Sequence, residues 1–254
     1  VGVGMVAVRN STHFGIAGYY PLMAAAQDMF GFATTNARPS IAPTFSVENM
    51  LGTNPLTFAF PTDEEFPFLL DCATSIIQRG KIEEYARDGS PTRAGLVIGS
   101  DGRPRTDSAA ILQELVDGSA ALLPVGGAGE EYGGYKGYGY AAVAEILAAS
   151  FANAAFLKQV TGMNVGHCFI AADIAAFDDP AAFRARTGAL LRALRAAKKA
   201  PGADRIYTPG EKEYETMRDR RRTGIPVPPG IMRELVTMRD ELKLAAFRFP
   251  GEVN

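Results

Sequence analysis

The sequence predicts an α/β fold, a mixed sheet with flanking helices, and three observations carry that expectation. Residues 1–36 read as strand, helix, strand. Four further apolar runs of strand length follow, at 56–60, 66–73, 96–98 and 166–173. Segments of helical period separate them, with caps or glycines at their ends. The 254 residues suffice for a substantial core, and 47% hydrophobic and 21% charged residues with a net charge of -2 exclude a disordered or generally polybasic chain.

Val1–Val8 reads as a strand already under way, without an initiator methionine or cationic leader, so the chain is expected to be truncated at its amino terminus. Asn10, Ser11 and Thr12 are short polar residues able to cap a helix, and Ile16, Tyr19, Tyr20, Met23 and Phe30 recur at near-helical spacing up to Gly31. A second strand over 32–36 could lie parallel to the first. Residues 38–55 form a long loop, expected to line a site. Two strands follow, Leu56–Phe60 and Phe66–Ala73, and Thr74 or Ser75 is placed to cap a helix that runs to Arg87. Leu96–Ile98 is a short strand and 108–116 a short helix. Seven glycines lie between Leu122 and Gly139, ahead of an alanine-rich helix over 140–157. Gly166–Asp173 is a strand, and Pro180–Ala200 a helix with proline in its first turn and lysines at its end. Ile231, Leu235, Met238, Leu242 and Ala245 give a last amphipathic helix. No linker interrupts the chain, which reads as one unit over 1–254.

Two cysteines, Cys72 and Cys168, are too few for a disulfide framework and lack zinc-site spacing, which favours a reducing, cytoplasmic home and no metal. No apolar run is long enough to span a membrane. Of the two histidines, His13 stands where a strand hands over to a helix, a position from which side chains reach ligands. It reads either as a proton-transfer group or as a capping residue. His167 opens an apolar strand and reads as a core histidine. Gly2–Ala7 and Gly137–Ala142 both satisfy G-x-G-x-x-[GA], but neither has the strand-turn-helix context of a Rossmann fingerprint. Lys136, just before the second, either binds an anion or is a solvated lysine. Asp71 closes a strand as a helix cap or as a partner for a histidine or ligand. Between Arg184 and Arg222 stand twelve basic and five acidic residues. This is a remote nucleic-acid surface, better explained as a solvated helix face.

The order of six motifs is more specific than any of these alone. Asn10-Ser11-Thr12-His13-Phe14-Gly15, Leu51-Gly52-Thr53-Asn54-Pro55 and Asp71-Cys72-Ala73-Thr74-Ser75 with Arg79-Gly80-Lys81 come first. Leu122-Leu123-Pro124 with Gly134-Tyr135-Lys136-Gly137-Tyr138-Gly139, Gly166-His167-Cys168-Phe169-Ile170-Ala171, and Pro209-Gly210-Glu211 complete the set. Together they resemble the malate/L-lactate dehydrogenase family of the non-Rossmann type, across nearly the whole chain.

The resemblance implies a non-Rossmann fold that binds NAD or NADP, a homodimer, and hydride transfer to and from a small 2-hydroxy or 2-keto acid. It implies proton transfer at His13, with Asp71 and Lys136 in the catalytic set. It also implies cofactor contacts at Asp71, Cys72, Ala73, Lys136, His167, Cys168, Phe169, Gly210 and Glu211. In some members the acid matched by Asp71 partners a Ser-His pair on an amino-terminal helical segment not found in this sequence, so a cofactor-binding but inactive chain is the alternative. Cys72, Cys168 and Ala37 depart from the Met, Phe and Ser common in the family.

Overall fold

The structure, a computed structural model, describes residues 1–244 and 246–249. The chain divides into two compact units, Val1–Glu211 and Lys212–Asn254, at a point where composition shows no linker.

The first unit is built on a five-stranded sheet of β1 (Val3–Ser11), β2 (Met29–Thr35), β3 (Leu56–Phe60), β4 (Phe68–Cys72) and β7 (Val165–Asp173), in the order β1-β7-β2-β3-β4. The two strands of the opening strand-helix-strand do run in the same direction. They are not neighbours, however, because β7 lies between them and pairs antiparallel with both. Every ladder of this sheet is antiparallel, and the parallel pairing described is the isolated Ile41–Leu122 bridge. Strand β7 takes the place beside β1 that β2 would have needed for a parallel pairing.

The register decides which side chains share a face, since residues opposite one another on an antiparallel ladder point the same way. Val6, Phe169, Ala33, Thr57 and Asp71 form one row, and Val8, His167 and Thr35 lie two residues along on the same face. Helix α1 (Tyr19–Ala25) covers this face. Gly31 admits it, because a Cβ there would stand 2.5 Å from the Pro21 carbonyl and 2.6 Å from its Cα. Ala7, Cys168, Thr34, Leu56 and Cys72 form the adjoining row on the opposite face. That face meets the π-helical turn Ile146–Ser150, and a Cβ at Gly166 would stand 2.9 Å from the Ala148 carbonyl carbon.

Helix α1 is shorter than its apolar spacing suggested. Phe30 belongs to β2, and Asn10 and Ser11 end β1 instead of capping a helix; Asn10 has φ 55°. Helix α2 (Arg79–Arg87) begins after Gln78 without a side-chain cap, while Thr74 and Ser75 lie in a loop beside Leu123 and Pro124. Helix α3 (Ser108–Asp117) is capped by Asp107, whose carboxylate accepts from Ala110 N–H at 3.0 Å, and Gly118 at φ 83° ends it. Strands β5 (Val97–Gly99) and β6 (Ala120–Leu122) form a small separate sheet. Ile41, Leu51, Ile82, Val97, Ile111, Leu122 and Ala141 pack as the core around it.

Helix α4 (Gly134–Glu145) starts six residues earlier than alanine content indicates, so three glycines of the glycine-rich stretch are helical. Helix α5 (Pro180–Arg195) is capped by Asp179 and ends before the lysines. The second unit contains α6 (Glu211–Thr223, whose first residue belongs to the first unit) and α7 (Pro229–Glu241). The apolar stripe of α7 ends at Met238, Leu242 lies just past it, and Ala245 is outside the described residues.

Candidate active site

The His13 loop is fixed from several sides. Gly18 N–H donates to Asp71 Oδ2 at 2.7 Å and the Thr57 hydroxyl to Oδ1 at 3.2 Å. Asp71 thus caps α1 across the sheet, where no local side chain does. The Tyr20 hydroxyl donates to the Phe14 carbonyl at 2.8 Å, and the Phe14 and Tyr20 rings stack at 4.9 Å. Between these anchors His13 is exposed, and its Nδ1 accepts from Gly15 N–H at 3.1 Å. A backbone N–H can only donate, so the neutral ring carries its proton on Nε2.

His167 lies beneath this loop at 2% exposure. Its Nδ1 is 2.7 Å from the Thr35 hydroxyl, and its ring stacks on Phe14 at 4.3 Å with 10° between planes. Its Nε2 is buried without a partner in hydrogen-bonding geometry. Burial lowers the pKa of the ring, the Thr12 carbonyl opposes that shift and the neighbouring His13 adds to it. The direct cofactor contact that the resemblance implied for His167 finds no exposed surface on this side chain. Cys168 is likewise fully buried, and it faces the opposite side of the sheet from His167 and Phe169. Three successive strand residues cannot meet one ligand through their side chains. Burial raises the thiol pKa of Cys168, and burial together with Asp71 raises that of Cys72, so neither is a ready thiolate.

Lys136 sits in the first turn of α4 on a glycine scaffold. A Cβ at Gly137 would stand 2.5 Å from the Val125 nitrogen, and one at Gly126 2.5 Å from Gly133. Backbone therefore lies against backbone where the loop enters the helix. Val125 N–H in turn donates to the Thr74 carbonyl at 2.9 Å, and Ile76 N–H to that of Leu123 at 2.8 Å. These bonds bring the segment after Asp71-Cys72-Ala73 beside the start of α4. The Ser75 hydroxyl there is buried and without a partner. Lys136 is exposed over the Tyr135 ring at 5.7 Å, and none of the described ion pairs engages it.

Gly210 and Glu211 are held by protein. Gly210, at φ 90°, packs on the backbone of Leu69, with a Cβ position 3.0 Å from its nitrogen. Glu211 is buried, accepts from Thr208 N–H at 2.9 Å and from the Thr208 hydroxyl at 3.2 Å, and pairs with Arg205 and, at 3.8 Å, Arg195. Burial pushes its carboxyl up, but Thr208 and the two arginines bring it below the ordinary carboxylate value. Of the reciprocal pair that a T-x-x-E spacing can form, Thr208-Pro209-Gly210-Glu211 makes one half: the Glu211 carboxylate reaches back to Thr208 N–H, while the Glu211 N–H donates to the Thr208 carbonyl at 3.1 Å. The basic stretch is similarly engaged: Arg184 with Asp28, Arg186 with Asp178, Arg192 with Asp63 and Arg195 with Glu64. Carboxylates thus already meet charges that a nucleic acid would need.

Glu145 was legible only as a charge in an alanine-rich run. It is buried and receives three N–H donors, from Asn36 at 3.2 Å, Asn54 at 2.7 Å and Leu157 backbone at 2.9 Å. It lines a cavity of about 370 Å³ with Pro43, Met50, Tyr138, Ile146 and Phe156, so the 38–55 loop does line a cleft. Among the described residues no group of histidine, cysteine and acidic side chains could hold a metal, and no helix is long and apolar enough to cross a membrane.

Comparison with known proteins places the chain among dehydrogenases of 2-hydroxy acids. A malate dehydrogenase of Pyrococcus horikoshii is 41% identical over 239 residues, covering 92% of this chain and 65% of its own length. The L-sulfolactate dehydrogenase of Methanocaldococcus jannaschii is 36% identical over 251 residues, covering 96% of this chain and 68% of its own. The chain thus spans slightly under two thirds of the Pyrococcus protein. The crystal structure of malate dehydrogenase from Entamoeba histolytica superposes with a TM-score of 0.93 at 41% identity, over 98% of this chain and 70% of that one. The sequence profile of malate/L-lactate dehydrogenases matches residues 1–236, and the chain belongs to that family.

Proposed function

We propose that this chain serves an oxidoreductase that interconverts a small 2-hydroxy acid, of the malate or lactate type, and its 2-keto acid with NAD or NADP. The single observation that carries this reading is the exposed His13 ring, held on a loop anchored by Asp71 and Tyr20 in a chain of this family. The buried, unpartnered Ser75 hydroxyl and the unpaired Lys136 beside the glycine loop fit a phosphate- and amide-bearing nucleotide. Bound there, a nicotinamide nucleotide would supply hydride transfer. The chain supplies the proton and the field.

His13 presents Nε2–H outward, which suits a hydrogen bond to a keto or hydroxyl oxygen. To take a proton from a hydroxy acid at Nε2 the ring must first shift its own proton to Nδ1, releasing Gly15. An exposed contact between residues two apart is readily exchanged for water. Lys136 brings positive charge to a carboxylate, a developing alkoxide or a phosphate. A cytoplasmic home accords with two free cysteines, and a homodimer with exposed Val3, Met5 and Val6 on the edge strand.

The test is His13→Ala with NADH and NADPH titration. Turnover of malate, lactate or their keto acids should be abolished while cofactor affinity changes by less than about tenfold. A folded wild-type chain that binds neither cofactor at millimolar concentration refutes the reading.

A further inference from the structure

We propose that His167 is a positioning residue for His13, a role distinct from contact with the cofactor. The His167 ring is the buried floor of the loop that carries His13. Phe14, the residue after His13, stacks on it at 4.3 Å and nearly parallel. From below, the Thr35 hydroxyl meets Nδ1 at 2.7 Å, and that hydroxyl is itself tied to Gly166 at 3.0 Å and Asn36 at 2.9 Å. The interior strand β7 thus holds Phe14, the neighbour of His13, through one ring, in addition to the Asp71 and Tyr20 anchors. An aliphatic side chain would fill the same space without the stack or the Thr35 bond. An imidazole supplies a flat face for the stack and a polar edge for Thr35 at once.

The inference builds on the functional reading of His13, and its test separates the two. The chain has two histidines, so 15N-histidine NMR resolves each ring and reports its tautomer without any turnover. In the wild type His13 should show the neutral tautomer with Nδ1 as acceptor in excess of the other. In His167→Leu that excess should shrink, and kcat should fall by about tenfold or more while NADH Kd moves less than about threefold. Thr35→Val, which leaves the ring and removes its anchor, should move both readouts in the same direction by a smaller amount, and it decides the matter if His167→Leu does not fold. An unchanged His13 spectrum in a folded variant overturns the inference. So does a tenfold loss of NADH affinity at unchanged kcat, which would make His167 a cofactor contact. Absence of turnover by the wild type would instead refute the functional reading, and the His13 tautomer would still decide the positioning role.

Discussion

Gly137 and Gly139 occupy the same helix two residues apart, and replacing each with alanine should move stability in opposite directions. Intrinsic propensity favours both replacements by about 1 kcal/mol. Gly139 is exposed with nothing within 4 Å of its Cβ position, so Gly139→Ala should keep that gain. At Gly137 the added carbon would stand 2.5 Å from the Val125 nitrogen and 2.9 Å from its Cα. These are backbone atoms, and no side chain can swing away. Overpacking of this kind costs roughly 1–3 kcal/mol, and contact with rigid backbone puts it at the upper end, so Gly137→Ala should end up to about 2 kcal/mol less stable than wild type. For a unit of this size each kcal/mol is about 2–4 °C in Tm, so thermal unfolding should show Gly139→Ala raised and Gly137→Ala lowered by several degrees. Because Val125 bonds Thr74, the displacement also reaches the loop after Asp71, and Gly137→Ala alone should weaken NADH binding. Equal stabilisation by both variants would refute the argument that Gly137 exists to admit the Val125 backbone.

Three further outcomes follow from the same geometry. Burial holds the His167 pKa below its ordinary 6.5, so acidification through that value protonates the unfolded chain but not the folded ring, and stability should fall. This group contributes at most about 1.4 kcal/mol per pH unit, and urea midpoints between about pH 7.5 and 5.5 should show a shallower slope in His167→Leu; identical slopes would contradict it. Asp71→Ala should cost about 1–2 kcal/mol in urea unfolding through loss of the Gly18 cap, whereas lost turnover at unchanged stability would make Asp71 a chemical participant instead. Glu211→Gln should destabilise by about 1–3 kcal/mol at unchanged NADH affinity, because its oxygens serve Thr208, Arg195 and Arg205; a tenfold affinity loss at wild-type stability would return it to the cofactor site.

Local signals located most of the elements, because each rests on neighbours in sequence. Leu56–Phe60 coincides with β3, and Asp107 and Asp179 cap helices as short polar residues do. The failures are tertiary. Thr74 and Ser75 have the chemistry of helix caps, but the Thr74 backbone bonds Thr53 and Val125 and Ser75 bridges Pro124, some fifty residues on. The separation of β1 and β2 was illegible because the strand between them begins only at Val165. Glycines normally argue against a helix, yet α4 contains Gly137, since the Val125 backbone leaves no room for a side chain there.

The motif residues divide on a distinction that spacing cannot draw. A polar side chain recurs in a motif either because a ligand meets it or because it holds the backbone that meets the ligand. Asp71, His167 and Glu211 each spend their polar atoms chiefly on protein: on Gly18 and Thr57, on Thr35, and on Thr208 with two arginines. His13 keeps Nε2 outward and Lys136 keeps its charge unpaired among the described ion pairs. The proton and the cation of the proposed reaction therefore fall on two side chains. On that proposal the remaining motif residues would act by fixing where those two stand, and in catalysis by proximity a displacement of about 1 Å can cost about a hundredfold in rate. Substitutions at Asp71 or His167 can thus lower turnover as much as substitutions at His13, and only a readout of the His13 ring itself separates a displaced proton carrier from a missing one.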